Sequence, residues 1–356
     1  MSSPVLEALR DRYPDAHISW VVQEKSVSVV QGLPGLDEVI LWKKWRGSYW
    51  LSLLSYIWRV RRRHFDVALD LQGLDKAALA MIASGAKRRI SGSTARPLAH
   101  YFCNERVDER ESIHARQFYL RRVSTLDIAD DSDKRYFPRV PMEKSHIESV
   151  QCFMAAAGWQ KCHPLFCINL GASFHEKTWP AANYAQIAWR ILQEDKDARV
   201  LALGASSDEQ AWIDFYHELQ RLISGQPPSV KQDAMARIIS GVGKLSLMEL
   251  AAAATLCTAF LTTDTGPMHI AASVGAPILA MFGPSHAQFT GPVKTPNGAP
   301  IRVVDAKEIT GSWPAPLSVI GVDLVWDELQ LLISPAKHLN GNNGHVDLPK
   351  TLGVEK

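Results

Sequence analysis

The chain has 356 residues, 46% of them apolar and 21% charged, with 39 Lys and Arg against 37 Asp and Glu. That balance excludes disorder, collagen and coiled coil, and at roughly 150 residues per domain it implies about two globular domains. A net charge of +2 provides no global field for nucleic acid or a membrane, so any basic surface must be local. Five scattered cysteines (Cys103, Cys152, Cys162, Cys167 and Cys257) include no Cys-x-x-Cys pair. Neither a disulfide framework nor a zinc cage is expected, and a reducing cytoplasm fits. The opening Met-Ser-Ser-Pro-Val-Leu-Glu has no basic segment followed by an apolar core, and the greasiest stretches fall short of about 18 apolar residues. No signal peptide or transmembrane helix is expected.

In chain order, His17 to Val22 and Glu38 to Trp42 read as strands, Leu51 to Arg62 as a helix and Asp66 to Leu71 as a strand. Asp75 to Ala83 reads as a crossover helix and Ser112 to Asp127 as an amphipathic one. This alternation is the pattern of βαβ units on a parallel sheet. Ala129 to Ser145, acidic and broken by Pro138 and Pro141, reads as the approach to a domain boundary. The second half repeats the scheme, with strands at Leu165 to Leu170, Arg199 to Leu203, Arg237 to Ser240, Ala259 to Thr262 and Pro277 to Phe282. Helices are expected at Ala181 to Gln193, from Ser207, at Ser246 to Leu256 and at Pro267 to Val274. Ser246 with Glu249 has capping-box spacing. A last helix, Leu324 to Ile333, precedes a Gly- and Asn-rich tail. The reading is two Rossmann-like α/β domains facing a cleft, residues 1–150 and 151–322, then a helix at 323–335 and a disordered tail at 336–356.

Two strand-end loops could carry chemistry. Thr263-Asp264-Thr265-Gly266-Pro267-Met268-His269 lies between a strand and a helix, where free N–H groups favour a phosphate. Asp264 could accept from a sugar hydroxyl and Thr265 could bond a phosphate oxygen, or the two could simply cap the helix. His269, on the first turn, fits a structural hydrogen bond better than a catalytic role. Gly171-Ala172-Ser173-Phe174-His175-Glu176-Lys177 supplies small donors and one compact cation, the set a diphosphate needs. Asp208 ends the next strand and could bind ribose hydroxyls or begin a helix. In the first half, Arg59-Val60-Arg61-Arg62-Arg63-His64 could be a solvated helix end or meet an anionic ligand, and Arg96 adds to that charge.

Together these motifs resemble glycosyltransferase family 9, the ADP-heptose:lipopolysaccharide heptosyltransferases, from about Pro4 to Ile333. Asp264 to His269, Phe282-Gly283-Pro284 and Gly291-Pro292 look like its C-terminal signature, and Lys177-Thr178-Trp179-Pro180 like its Lys-x-Trp-Pro motif. Tyr13-Pro14, Trp20-Val21-Val22 and Leu69-Asp70-Leu71-Gln72-Gly73 match the N-terminal half. With Arg96-Pro97-Leu98 and Tyr101 to Asn104, they look most like the heptosyltransferase I branch. The resemblance implies a GT-B architecture, with an acceptor domain, a donor domain and a final helix returning to the first. It implies that Ser173, Lys177, Asp208, Asp264, Thr265, Gly266 and His269 hold ADP-heptose, Lys177 stabilising the leaving diphosphate. Arg61, Arg62, Arg63 and Arg96 are the candidate contacts to an anionic, lipid-linked Kdo–lipid A acceptor. It further implies inversion, no metal or other cofactor, no nucleic-acid partner, and a cytoplasmic protein at the inner face of the inner membrane.

The family opens with a strand and a Gly-Asp loop carrying the expected general base, and Met1 aligns after that loop. The first strand and that Asp are therefore expected to lie outside this sequence, through a start assigned too late, a truncation, or a degenerate chain that binds nucleotide sugar without transferring it. The first is favoured, because Pro4 to Arg10 follow the family pattern at once. Asp11 and Asp15 are unconvincing substitutes. A further alternative is another GT-B sugar-nucleotide enzyme, such as an epimerase.

Overall fold

The computed structural model describes residues 1–42, 49–108, 114–128, 135–172 and 174–334. The first half contains α1 (Pro4–Arg12), β1 (Ser19–Gln23), β2 (Glu38–Trp42), α2 (Tyr49–Arg61), β3 (Val67–Leu69), α3 (Asp75–Ser84), β4 (Arg88–Gly92), α4 (Pro97–Phe102), β5 (Glu105–Val107) and α5 (Ala115–Arg121). The second runs through α6 (Lys144–Ala156), β6 (Leu165–Asn169), α7 (Ala181–Glu194), β7 (Arg199–Leu203), α8 (Glu209–Leu222), α9 (Pro228–Ala236), β8 (Ile238–Ser240) and α10 (Leu247–Leu256). It continues with β9 (Ala259–Thr263), α11 (Gly266–Ser273), β10 (Ile278–Phe282), α12 (Ala287–Thr290), β11 (Ile301–Asp305), α13 (Ala306–Thr310) and α14 (Val322–Ile333).

The six strands described in the second half form one parallel sheet in the order β11-β10-β9-β6-β7-β8. Numbered within that half, this is the doubly wound 3-2-1-4-5-6 order, and the order reverses between β6 and β9. The central strands are buried on both faces, which is why they read as continuous apolar runs. Alternation still divides them. Phe166, Ile168 and Leu170 enter the core under α7, α8 and α14, whereas Leu165 and Cys167 enter the core under α6, α10 and α11. Ser246 caps α10 as its spacing predicts, its Oγ accepting from Glu249 N–H at 3.2 Å while the Glu249 carboxylate accepts from Ser246 N–H at 2.8 Å.

In the first half the parallel strands form two sheets, β1-β2 and β3-β4-β5. They correspond to β7-β8 and β9-β10-β11 of the second half, and among the described residues no strand pairs with both β1 and β3. Helix α1 spans the two sheets, Leu6 packing in the cluster of Val22 and Leu33 and Val5 and Ala8 in that of Ile90 and Val107. Strand β3 is shorter than the expected Asp66 to Leu71 because Asp70 turns the chain, its buried Oδ1 accepting from Gln72 and Gly73 N–H, both at 2.8 Å. Ser91 Oγ and Arg122 brace the turn. The expected helix over Ser112 to Asp127 is α5 followed by a 3-10 turn at Ser124–Leu126, since Val123, Ser124 and Thr125 are weak helix formers.

Residue 150 falls inside α6, whose Val150 and Met154 are fully buried in the second core. The division between cores therefore precedes Lys144. Helix α14, expected to return to the first half, instead buries Val325, Leu329 and Leu332 in the second core and is tied there by Arg190–Asp323 and Arg302–Glu328. The strip of its surface that is apolar matches β11, β10 and α7, so burial holds it there. The tail at 336–356 lies outside the described residues. Among the described residues no helix is long and apolar enough to cross a membrane.

Candidate active site

The loops after β6 and β9 meet where the strand order reverses, the place at which doubly wound sheets open a crevice. Lys177 Nζ lies 2.6 Å from Asp264 Oδ2 and 3.5 Å from Asp264 O. The Asp264 side chain is 8% exposed and that of Lys177 25%, so one ammonium proton is held by a buried carboxylate while the group keeps an open side. Thr290 Oγ1 stands 3.5 Å from the same Asp264 oxygen.

Neither Asp264 nor Thr265 caps α11: Thr265 is the N-cap residue, with no side-chain cap bond. Its hydroxyl is buried inside the loop, 3.3 Å from Thr263 O and from Thr262 Oγ1, with Asn169 Nδ2 donating to it at 3.3 Å. Thr265 therefore shapes the turn, and the α11 N–H groups remain unspent by a side chain. A Cβ built on Gly266 would meet nothing within 4 Å, so the first turn of α11 borders open space. Asp208 folds back onto its own loop, Oδ2 accepting from Ala205 N–H at 2.8 Å. It also lies against Gly171, whose hydrogen-only side is required: a Cβ there would sit 2.2 Å from that oxygen. Ser173 lies outside the described residues.

His269 is half-buried, and its Nδ1 is enclosed with no hydrogen-bond partner among the described residues. Burial pushes its pKa from the ordinary 6.5 down to about 4, with the Met1 ammonium adding in the same direction and Asp264 opposing. The imidazole is neutral at physiological pH. Because the folded-state pKa is the lower one, the unfolded chain takes up its proton first, and stability falls as pH drops from about 6.5 toward 4. The loss reaches about 2 kcal/mol by pH 5. In urea unfolding at pH 7.5 and pH 5, wild type is expected to lose about 2 kcal/mol more than His269→Asn. Equal losses would contradict this.

Two residues absent from the sequence reading join the site. Asn169 Oδ1, at the end of β6, and Ser285 Oγ, after β10, are also buried without partners among the described residues. Their signal in the sequence is a lone polar residue ending a buried apolar strand and a Ser following Phe282-Gly283-Pro284. The first half touches the second beside Thr290 through His114, whose Nδ1 accepts from Arg116 N–H at 3.2 Å. That leaves the proton on Nε2, which donates to Gly291 O of the second half at 3.0 Å. Burial lowers the His114 pKa, consistent with that neutral form.

The four arginines do not come together. Arg61 ends α2 and Arg62 and Arg63 follow it, all before β3, at the amino edge of the strands and away from the crevice. Arg63 grips Glu38 through both carboxylate oxygens, and Arg61 packs over Gly85 at the end of α3. Arg96, after β4, is on the carboxyl edge, its N–H donating to Gly73 O at 2.9 Å and its guanidinium 3.5 Å from Asp75. The grouping expected from charge alone fails because a helix C-terminus and the next helix N-terminus lie at opposite ends of a βαβ unit.

Two α/β halves, the second a doubly wound parallel sheet with a charged helix terminus at its switch point, have the GT-B architecture. Residues 53–302 match the model of glycosyltransferase family 9 (heptosyltransferase). The chain belongs to that family. It is 23% identical over 317 residues to lipooligosaccharide heptosyltransferase 2 of Haemophilus influenzae, covering 87% of this chain and 86% of that one. To lipopolysaccharide heptosyltransferase 1 of Pseudomonas aeruginosa it is 26% identical, covering 81% and 76%. The crystal structure of a family 9 glycosyl transferase from Veillonella parvula superposes with a TM-score of 0.74 at 24% identity, over 94% of this chain and 93% of that one, and so shares the fold.

Proposed function

We propose that this glycosyltransferase moves heptose from ADP-heptose to the Kdo region of a lipopolysaccharide inner core, with inversion and without a bound metal. The observation that carries the reading is the Lys177–Asp264 pair at the open N-terminus of α11, at the point where the sheet order reverses. A half-open ammonium beside unspent helix N–H groups stabilises the charge that grows on a departing diphosphate. Asp264 orients Lys177, and the unpartnered His269 Nδ1, Asn169 Oδ1 and Ser285 Oγ supply polar contacts for the donor. Asp208, with one oxygen on Ala205 N–H, offers its other oxygen to a ribose hydroxyl. The sugar is transferred when an acceptor hydroxyl attacks the anomeric carbon from the face opposite ADP: the new C–O bond forms as the bond to the diphosphate oxygen breaks, ADP leaves with the electron pair beside Lys177, and the hydroxyl proton passes to solvent.

Gly171→Ala forces Asp208 off Ala205 N–H, and ADP affinity is expected to fall about tenfold. Calorimetric titration checks this, and an unchanged affinity would remove Asp208 from the donor site. Arg96→Ala is expected to raise the acceptor KM about fivefold while sparing the donor KM. Equal changes in both would indicate a folding defect instead. Mass analysis of the products tests the reaction class: an acceptor heavier by one heptose supports transfer, whereas a sugar nucleotide altered at one carbon with no acceptor consumed supports an epimerase.

A further inference from the structure

The carboxyl edge of the second sheet carries an aromatic cluster that the donor site does not use. His286, the N-cap residue of α12, lies ring over ring on Trp313, with centroids 4.1 Å apart and planes at 20°, and Phe289 stands edge-on to His286 at 5.3 Å. Trp179, Phe260 and Phe282 of the same half are fully buried, whereas Trp313 and Phe289 are 48% and 44% exposed. Rings recruited for packing are covered. Here His286 takes one face of the indole, and about half of the Trp313 surface still meets solvent.

The cluster is fixed against the site. Thr290 Oγ1 stands 3.5 Å from Asp264 Oδ2 and 3.2 Å from His286 O, and Thr290 N–H donates to the same carbonyl at 3.1 Å. The Trp313 segment lies on the turn after β10: Ala315 N–H donates to Gly283 O at 3.4 Å, and a Cβ on Gly283 would come within 2.7 Å of Ala315 O. Contacts therefore run without a break from the Asp264 carboxylate through Thr290 and His286 to the indole.

Sheet order decides what such a platform faces. The Lys177–Asp264 pair lies at the reversal between β6 and β9, and Asp208, the ribose candidate, follows β7. The nucleoside is thus directed toward β7, while His286 and Trp313 follow β10 and β11 on the other side of the reversal. Strand β10 stands three strand spacings from β7, about 14 Å, so an adenine on Trp313 would lie on the wrong side of its own diphosphate. The first half reaches the same place, His114 Nε2–H donating to Gly291 O, one residue beyond Thr290. A pyranose ring has the complementary surface. Its C–H faces are apolar and carry partial positive charge that the indole face attracts, while its hydroxyls stay in water.

We propose that Trp313, backed by His286 and flanked by Phe289, takes the C–H face of a pyranose ring of the acceptor saccharide. This rests on the glycosyl-transfer reading and gives the second half a share in acceptor recognition.

Two measurements on the full chain test it. In the first, the deacylated saccharide of a heptose-free Kdo–lipid A is titrated calorimetrically into ADP-saturated protein. Wild type is expected to bind it, Trp313→Ala about tenfold more weakly, and Trp313→Tyr within about threefold of wild type. Trp313→Leu refills the volume without a ring and is expected to bind as Trp313→Ala does, with ADP affinity and urea midpoint unchanged in each variant. Phe289→Ala, expected to bind about threefold more weakly, gives an independent reading should Trp313→Ala fail to fold. In the second measurement, ADP release from ADP-heptose, Trp313→Ala is expected to raise the acceptor KM about tenfold and spare the donor KM. Absence of saccharide binding by wild type, or wild-type affinity in Trp313→Ala, would overturn the proposal. So would rescue by Trp313→Leu, which would make the indole a packing group, or a loss confined to ADP affinity or donor KM, which would put the donor on the platform. Release that ignores the acceptor in a wild type that binds the saccharide would sink the transfer reading and leave the platform standing, so the two failures are told apart.

Discussion

Lys177→Ala is expected to weaken ADP binding by about 1.5–3 kcal/mol, roughly 10- to 150-fold. Two effects act in the same direction. The charge-assisted bonds to diphosphate are lost, and Asp264, 8% exposed and left among the described residues with Thr290 beside its Oδ2 at 3.5 Å, becomes a bare carboxylate facing an anion. A second variant separates them. Lys177→Ala/Asp264→Asn relieves the unpaired buried charge and is expected to recover folding stability while recovering only part of the ADP affinity. Calorimetric titration reads the affinity and urea unfolding the stability. An ADP affinity that survives Lys177→Ala would remove the β6 and β9 loops from the donor site.

Trp179→Ala is expected to cost about 3–5 kcal/mol of stability. This tryptophan, two residues from Lys177, is fully buried, stands edge-on to Tyr184 at 5.0 Å, and donates its Nε1–H to Ile320 O at 3.0 Å. It fastens the Lys177 loop to the segment that enters α14, so its role in the Lys-x-Trp-Pro motif is to hold the lysine in place. Trp179→Phe keeps most of the packing and loses the hydrogen bond, for about 1–2 kcal/mol. The folded Phe variant is expected to bind ADP nearly as wild type does, the reverse of Lys177→Ala, which spares the core and harms binding. A Trp179→Phe protein of wild-type stability that cannot bind ADP would place the indole in the site instead.

The two halves respond differently to being read as sequence. In the second, strands buried on both faces are unbroken apolar runs, and Ser246, Pro267 and Gly204 mark element ends, so β6, β7, β9, β10 and their loops are legible without coordinates. Strands β4, β5 and β11 carry Arg88, Arg89, Glu105, Arg106 and Arg302, and these charges find partners only in the fold: Arg88 pairs with Glu105, Arg302 with Glu328, and Arg89 and Arg106 donate to backbone carbonyls. Helix α6 hides behind Pro138 and Pro141 because its buried face is only Val150 and Met154. Site chemistry follows the same division. The Lys177 and Asp264 loops can be paired because both end parallel strands, but the contact between them depends on β6 and β9 being neighbours across a crossover. The arginines mislead because charge counts along a chain say nothing of which end of a βαβ unit each residue occupies. Arg61 to Arg63 and Arg96 are close in composition and opposite in place.

The central claim is tested most directly by ADP release from ADP-heptose by this 356-residue chain, with and without a heptose-free Kdo–lipid A acceptor. The account predicts release that depends on the acceptor and is lost in Lys177→Ala. Release that ignores the acceptor, or none from a chain that binds ADP-heptose, would contradict heptosyl transfer by these residues.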